Sequence, residues 1–293
     1  MARQATEEAF ILGEGPVWDA ERQRLLWVDI TAGLVLVGRL DGSRIQIVER
    51  LEFPSMVGAV APARDGRLLV ATQEQLVIVD PDGPRTDGLR LLAPGSGRRL
   101  NDGKTDPTGR FVVGSLLIDA PGSEQLVRIE ASGEVTVIDD GLTLSNGLAW
   151  SPDGTRFYSI DTYERRIWQR EYFAGVRAPG PRSSFVEFTD GLPDGMCTDA
   201  EGYAWVAAYR GGQVRRFAPD GTLAGTVTVP TPHVTSVAFA GPGLDTLVIT
   251  TARQKLTAEQ LEEFPRSGCL FTVDVGVTGV PVAYWEPEYG TIA

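Results

Sequence analysis

The chain has 293 residues, 42 % of them apolar and 23 % charged, the balance of a soluble globular protein with room for one large domain or two ordinary ones. A formal charge of −12 argues against a nucleic-acid backbone as partner, which would want a basic face. No run of about 18 apolar residues is present to span a membrane.

The opening "MARQATEEAF" has no apolar stretch behind its arginine, so no secretory leader is expected. From there, short apolar strands alternate with turn-forming clusters. "WDAERQRLLWVDI" (18–30) reads as a hairpin with a non-glycine turn, and "RLDGSRIQIV" (39–48) as a second one. The pairing recurs in "ARDGRLLVAT" with "VDPDGPR", in "DPTGRFVVGS" with "IEASGEVTVI", and in "DAEGYAWVAA" with "FAPDGTLAGTV". "SPDGTRFYSI" fills the same slot for the fourth unit, and "GPGLDTLVIT" with "VDVGVTGVPVAYW" for the last. Asp-Gly and Ser-Gly between alternating apolar runs are hairpin signals because glycine accepts positive φ. The turn glycines Gly66, Gly109, Gly154, Gly202 and Gly243 stand 43, 45, 48 and 41 residues apart. Only "TAEQLEEFP" (257–265) reads as helical, one or two turns on the surface of the last unit. Cys197 and Cys269 make no disulfide framework in a chain this long; both read as small buried residues of a protein in a reducing cytoplasm.

Six four-stranded units of 41 to 48 residues predict an all-β, six-bladed β-propeller. The expected organisation is one domain over 1–293, four antiparallel strands per blade, and a central channel holding a metal. A β-sandwich is the runner-up, but nothing in it demands so regular a period.

Aligned on the residue eight before the turn glycine (nine in the second unit), the repeats present Glu14, Val57, Asn101, Asn146, Asp194 and Thr235. In a propeller this position faces the common axis. Four of the six carry carboxylate or amide oxygens, and two carboxylates with two amides would be costly to bury around an empty axis. A divalent cation resolves this: the carboxylates cancel its charge and the amides add coordination. Asn146 thus reads as a neutral metal ligand, with Gly147 beside it permitting a close approach.

"LGEGPVWD", "RLNDGKTDPTGR", "LSNGLAWSPDGTRFYSID" and "LPDGMCTDAEGYAWVA", followed by "TSVAFAGPGLDTLVITTAR", resemble the gluconolactonase family, that of senescence marker protein (regucalcin), luciferin-regenerating enzyme and bacterial sugar lactonases. The resemblance covers nearly the whole chain. It implies a propeller with one catalytic divalent metal (Ca²⁺ first, with Zn²⁺, Mn²⁺, Mg²⁺ and Fe²⁺ open) and hydrolysis of sugar lactones. By motif position, Glu14, Asn146 and Asp194 would be the metal ligands. Asn101 would lie beside the metal against substrate or water, Arg99 would bind substrate oxygens, and Asp119 would meet sugar hydroxyls, where many relatives have Glu.

The chemistry expected is lactone opening, with the carbonyl polarised, water activated and Asp194 as base; Asp119 is the alternative base. A phosphotriester or fluorophosphate hydrolase of the same propeller type, and a non-catalytic calcium-binding propeller, are the competing readings. His233, the single histidine, reads as a rim or packing residue; Arg210 is either a pocket residue that alters substrate choice or a solvated rim cation. Tyr158 and Tyr163 are candidates for the rim. The expected partner is a small sugar lactone, with no nucleic acid, no membrane, and a monomer or weak oligomer.

Overall fold

A computed structural model describes residues 1–173 and 180–286. Their strands form six four-stranded antiparallel sheets. β1 (Arg3–Gln4) stands apart from the first sheet, which comprises β2 (Gly13–Asp19), β3 (Arg24–Asp29), β4 (Leu34–Asp41) and β5 (Arg44–Glu52). The second holds β6 (Val57–Pro62), β7 (Leu68–Thr72), β8 (Gln75–Val79) and β9 (Arg85–Arg90); the third β10 (Arg98–Thr105), β11 (Phe111–Leu117), β12 (Glu124–Ile129) and β13 (Val135–Leu142). The fourth holds β14 (Ser145–Trp150), β15 (Arg156–Asp161), β16 (Arg166–Glu171) and β17 (Ser183–Glu187). The fifth holds β18 (Leu192–Thr198), β19 (Ala204–Tyr209), β20 (Gln213–Phe217) and β21 (Leu223–Thr228). The sixth holds β22 (Val234–Ala240), β23 (Thr246–Thr251), β24 (Phe271–Asp274) and, on its outer edge, β1. The arrangement is a six-bladed β-propeller.

Sequence dictates which strand lies where. The inner strands β6 and β14 are buried throughout, and their second strands nearly so, whereas β9 and β21 have no fully buried residue. Continuous apolar runs mark strands covered on both faces; polar alternation marks the outer edge. The core is divided among the interfaces between neighbouring blades. Val17 and Leu26 meet Val60 and Val70 between blades one and two, and Val112 and Leu126 meet Trp150 and Phe157 between three and four. Trp18 and Trp27 meet Val248 and Leu270 between the first and last blades, which closes the ring.

Closure uses the N-terminal strand. Arg3 and Gln4 pair with Thr272 and Phe271, and the Ala5 amide donates to Leu270 O at 2.8 Å. This corrects the hairpin expected in "VDVGVTGVPVAYW": β24 takes its outer partner from the far end of the chain. The following segment instead crosses the face bearing the first-to-second-strand turns. The Trp285 amide donates to Pro62 O (2.9 Å), that of Glu286 to Gly109 O (3.0 Å) and that of Gly279 to Leu244 O (2.8 Å).

A second correction concerns the last repeat, where the left-handed turn residues are Gly241 (φ 88°) and Leu244 (φ 50°) rather than Gly243. The expected helix is present as α1 (Ala258–Glu263), started by Thr257, whose hydroxyl accepts from the Gln260 amide at 3.3 Å. Both cysteines are free and buried.

Candidate active site

Every inner strand carries a β-bulge at the repeat position. The register slips between Glu14 and Val17, Val57 and Ala59, Leu100 and Gly103, Asn146 and Leu148, Pro193 and Met196, and Val234 and Ser236. Each slip sets one extra inner-strand residue against its neighbour, which bends the strand and re-aims a side chain. Small residues permit the crowding that results: a Cβ added to Gly147 would overlap the carbonyl oxygen of Asp194, and one on Gly58 would overlap that of Leu100. In blade three, where Asp102 occupies the small-residue slot, Gly114 supplies the clearance against Ser145.

Glu14, Arg99, Asn101, Asn146 and Asp194, far apart in sequence, line one pocket of about 150 Å³, the space of about five waters. All five are buried. The Arg99 Nη1 donates to Asn101 Oδ1 at 2.6 Å, and Asn101 Nδ2 donates to Ser145 O (2.7 Å) and Asn146 Oδ1 (3.2 Å). Asn146 Nδ2 donates to Thr162 Oγ1 at 3.0 Å, and that hydroxyl donates to Pro193 O at 2.9 Å. The relay turns the amide oxygen of Asn146 inward. Val57 and Thr235, the other repeat-position residues, are packing groups; Thr235 donates to Gly13 O at 2.6 Å.

Burial, then the charges of Asp194 and Asp102, push Glu14 well above the usual carboxylate range. Burial and Asp102 do the same to Asp194, against a hydrogen bond from Asn146. Arg99 is lowered by burial to about 10, opposed by Glu14, Asp102 and Asp194, and so stays charged at neutral pH. Beyond the floor a second, small cavity of about 30 Å³ lies between Gly15, Pro16, Asp102, Lys104 and Met196. Asp102 is raised to about 6 by burial, with Lys104 and Arg99 pulling the other way, and Lys104 donates to Met196 O at 2.9 Å.

The donor set fits a hard divalent ion: two buried carboxylates that the single charge of Arg99 does not cancel, and an amide oxygen beside them. Among the described residues no group of three or more His, Cys, Asp or Glu side chains could hold a metal. The fit therefore depends on Asn146 joining the two carboxylates.

Other expected residues fall elsewhere. Asp119 is exposed at the mouth, its Oδ1 3.4 Å from Lys255 Nζ. Tyr163 lines the pocket, but Tyr158 is core, its ring 4.9 Å from that of Phe185. His233 is buried beneath the rim, stacked on Tyr209. Arg210 lines the pocket with Lys255 and Gln254. Thr162, Asp102 and Lys104 escaped sequence reasoning. The one trace of them was Asp102 standing where the other repeats have a small residue.

Residues 12–253 match the profile of the family described as "SMP-30/Gluconolactonase/LRE-like region". Over 279 residues the chain is 38 % identical to a pentonolactonase of Haloferax volcanii, covering 92 % of this chain and 93 % of the relative. It is 37 % identical to a 6-deoxy-6-sulfogluconolactonase of Pseudomonas putida, with the same coverage. The crystal structure of a calcium-binding protein, regucalcin from Agrobacterium tumefaciens, superposes with a TM-score of 0.91 at 28 % identity, covering 98 % of this chain and 97 % of the other.

Proposed function

The chain belongs to the SMP-30/gluconolactonase/LRE-like family and is a lactonase, and from that premise we propose that it opens a sugar 1,4- or 1,5-lactone to the aldonic acid with one divalent metal ion held by Glu14, Asn146 and Asp194. What carries the reading is the meeting of two buried carboxylates and two amides on the floor of one pocket. When bound, such an ion polarises a carbonyl oxygen and makes its water more acidic.

The protein's own groups do the rest. Arg99 points a charged guanidinium into the pocket and donates to lactone oxygens. Asn101, held between Arg99 and Asn146, presents its amide to the substrate or the attacking water. Asp194, buried on the pocket floor, takes the water's proton on a carboxylate oxygen. Asp119, at the mouth, meets sugar hydroxyls. The segment crossing the opposite face leaves substrate to enter from the side of Tyr163, Tyr209 and Arg210. We place the enzyme in a reducing cytoplasm, as a monomer or weak oligomer.

The test is a panel of lactones on metal-stripped protein reloaded with single ions. Acid release should stop with chelator and return with metal. Glu14→Ala and Asp194→Ala should each lower kcat/KM by on the order of 10³-fold, the loss of several kcal/mol of charge stabilisation. Full activity in either variant removes the site assignment. A phosphotriester turned over faster than any lactone would replace the substrate reading.

A further inference from the structure

The mouth of the pocket has a construction of its own. Three of its residues, Asp119, Arg210 and Lys255, hold left-handed backbone angles (φ 61°, 63° and 64°) although none is glycine. Each follows the second strand of its blade: β11, β19 and β23 respectively. Such angles are unfavourable for residues that carry a side chain and persist where surrounding structure imposes them.

At the Arg210 and Lys255 turns that structure includes His233. Its ring stacks on Tyr209, centroids 4.2 Å apart at 20°, and Tyr209 immediately precedes Arg210. Its Nδ1 lies 3.0 Å from Gln254 O, immediately before Lys255, and its carbonyl accepts from the Ala252 amide at 3.0 Å. One buried imidazole thus ties together the two turns that carry the mouth's cations. Burial lowers it to about 4, so it stays neutral.

Neither cation is firmly used by the protein. Arg210 makes no ion pair among the described residues; its guanidinium lies 5.9 Å from the centroid of the Tyr209 ring. Lys255 faces Asp119 across 3.4 Å with both side chains largely solvated (48 % and 77 % exposed), a geometry of little net worth. Two available cations on the rim of one pocket are a local reversal in a chain of net charge −12.

We infer that Arg210 and Lys255 recognise an anionic substituent, a carboxylate, sulfonate or phosphate, at the end of the lactone remote from its carbonyl, and that His233 is the positioning residue for both. The inference rests on the lactonase reading and names its substrate class. With the carbonyl at the floor near Arg99 and Asp194, the far carbon of the sugar reaches the mouth. An oxyanion there takes the guanidinium fork and displaces Asp119 from Lys255.

The experiment compares kcat/KM of the metal-loaded protein on glucono-1,5-lactone, its 6-phosphate, its 6-deoxy-6-sulfonate and a glucarolactone. At least one anionic lactone should exceed the neutral one by roughly tenfold or more, and the three arms show which oxyanion is preferred. That ratio should fall toward one in Arg210→Met and Lys255→Met, be partly kept in Arg210→Lys, and shrink as salt rises from 0.05 to 0.5 M, as screening requires. Arg210→Gly, which suits the left-handed turn, repeats the test should Arg210→Met fold poorly. His233→Phe should lower the ratio through KM for the anionic substrate. A wild-type ratio at or below one for all three anions, or a ratio unchanged in the Arg210/Lys255 double variant, overturns the inference and leaves the lactonase intact. Absence of turnover on all four overturns the inference, and absence on the pentonolactones of the wider panel as well overturns the lactonase reading with it.

Discussion

Asn146 shows how much one amide depends on a neighbour from its own blade. Its Nδ2 donates to Thr162 while its Oδ1 accepts from Asn101 in the preceding blade, and the two bonds together set which end of the amide is oxygen. Thr162→Val removes the acceptor at nearly constant volume. Metal affinity of the stripped protein, measured by calorimetric titration, should fall about 10- to 100-fold. The carboxylates bear on stability. Glu14, Asp194 and Asp102 hold protons more tightly folded than unfolded. In the metal-free protein they cost nothing below their unfolded pKa near 4, and destabilise as pH rises through the raised folded values, about 6 for Asp102. The melting temperature of stripped wild type should therefore drop between about pH 5 and 7.5 more steeply than that of Asp194→Asn. Added metal should flatten the wild-type slope alone. Identical slopes in the two proteins would mean that Asp194 carries no such penalty.

At the scale of the element, the inner strand with its bulge is the unit that builds the site. The bulge lets Asn101 line the pocket while Asp102, the next residue, lines the small cavity beyond its floor. Gly147 is where one such strand meets the next. Gly147→Ala should cost about 1–3 kcal/mol, lowering the melting temperature by several degrees and weakening metal binding as well, because the overlap is with the backbone of Asp194. A variant with wild-type stability and metal affinity would show that the contact is slack. In four of the blades the repeat position of the bulge was legible in the sequence as an oxygen-bearing residue before Gly or Ser. The bulge itself was not, since register is settled by pairing with a second strand. Arg99 illustrates the same limit: the family resemblance implied a substrate-binding residue, and its burial beside Asn101 in the pocket comes from the structure.

For the whole molecule, closure is the property that matters. A ring of blades is held by its last interface, and here that interface includes a strand from the other end of the chain. Deleting residues 1–6 removes two ladder pairs and the bonds of Ala2, Ala5 and Thr6 to blades five and six. At about 1 kcal/mol for each of some four hydrogen bonds, the melting temperature should fall by roughly 10 °C. A truncated protein that melts with the parent would place closure elsewhere.

Taken alone, the sequence determined the number of blades, their period, and which four carboxylate- or amide-bearing residues share one register, because a repeat forces equivalent residues into equivalent positions about an axis. Tertiary structure decided what repetition cannot encode. The outer partner of β24, the segment laced under the channel, the Thr162 relay and the cations gathered over His233 all come from contacts between units that differ. The physical reason is the same in each case: a period fixes direction relative to the axis, while the partner a side chain meets is fixed only when the neighbouring blade arrives.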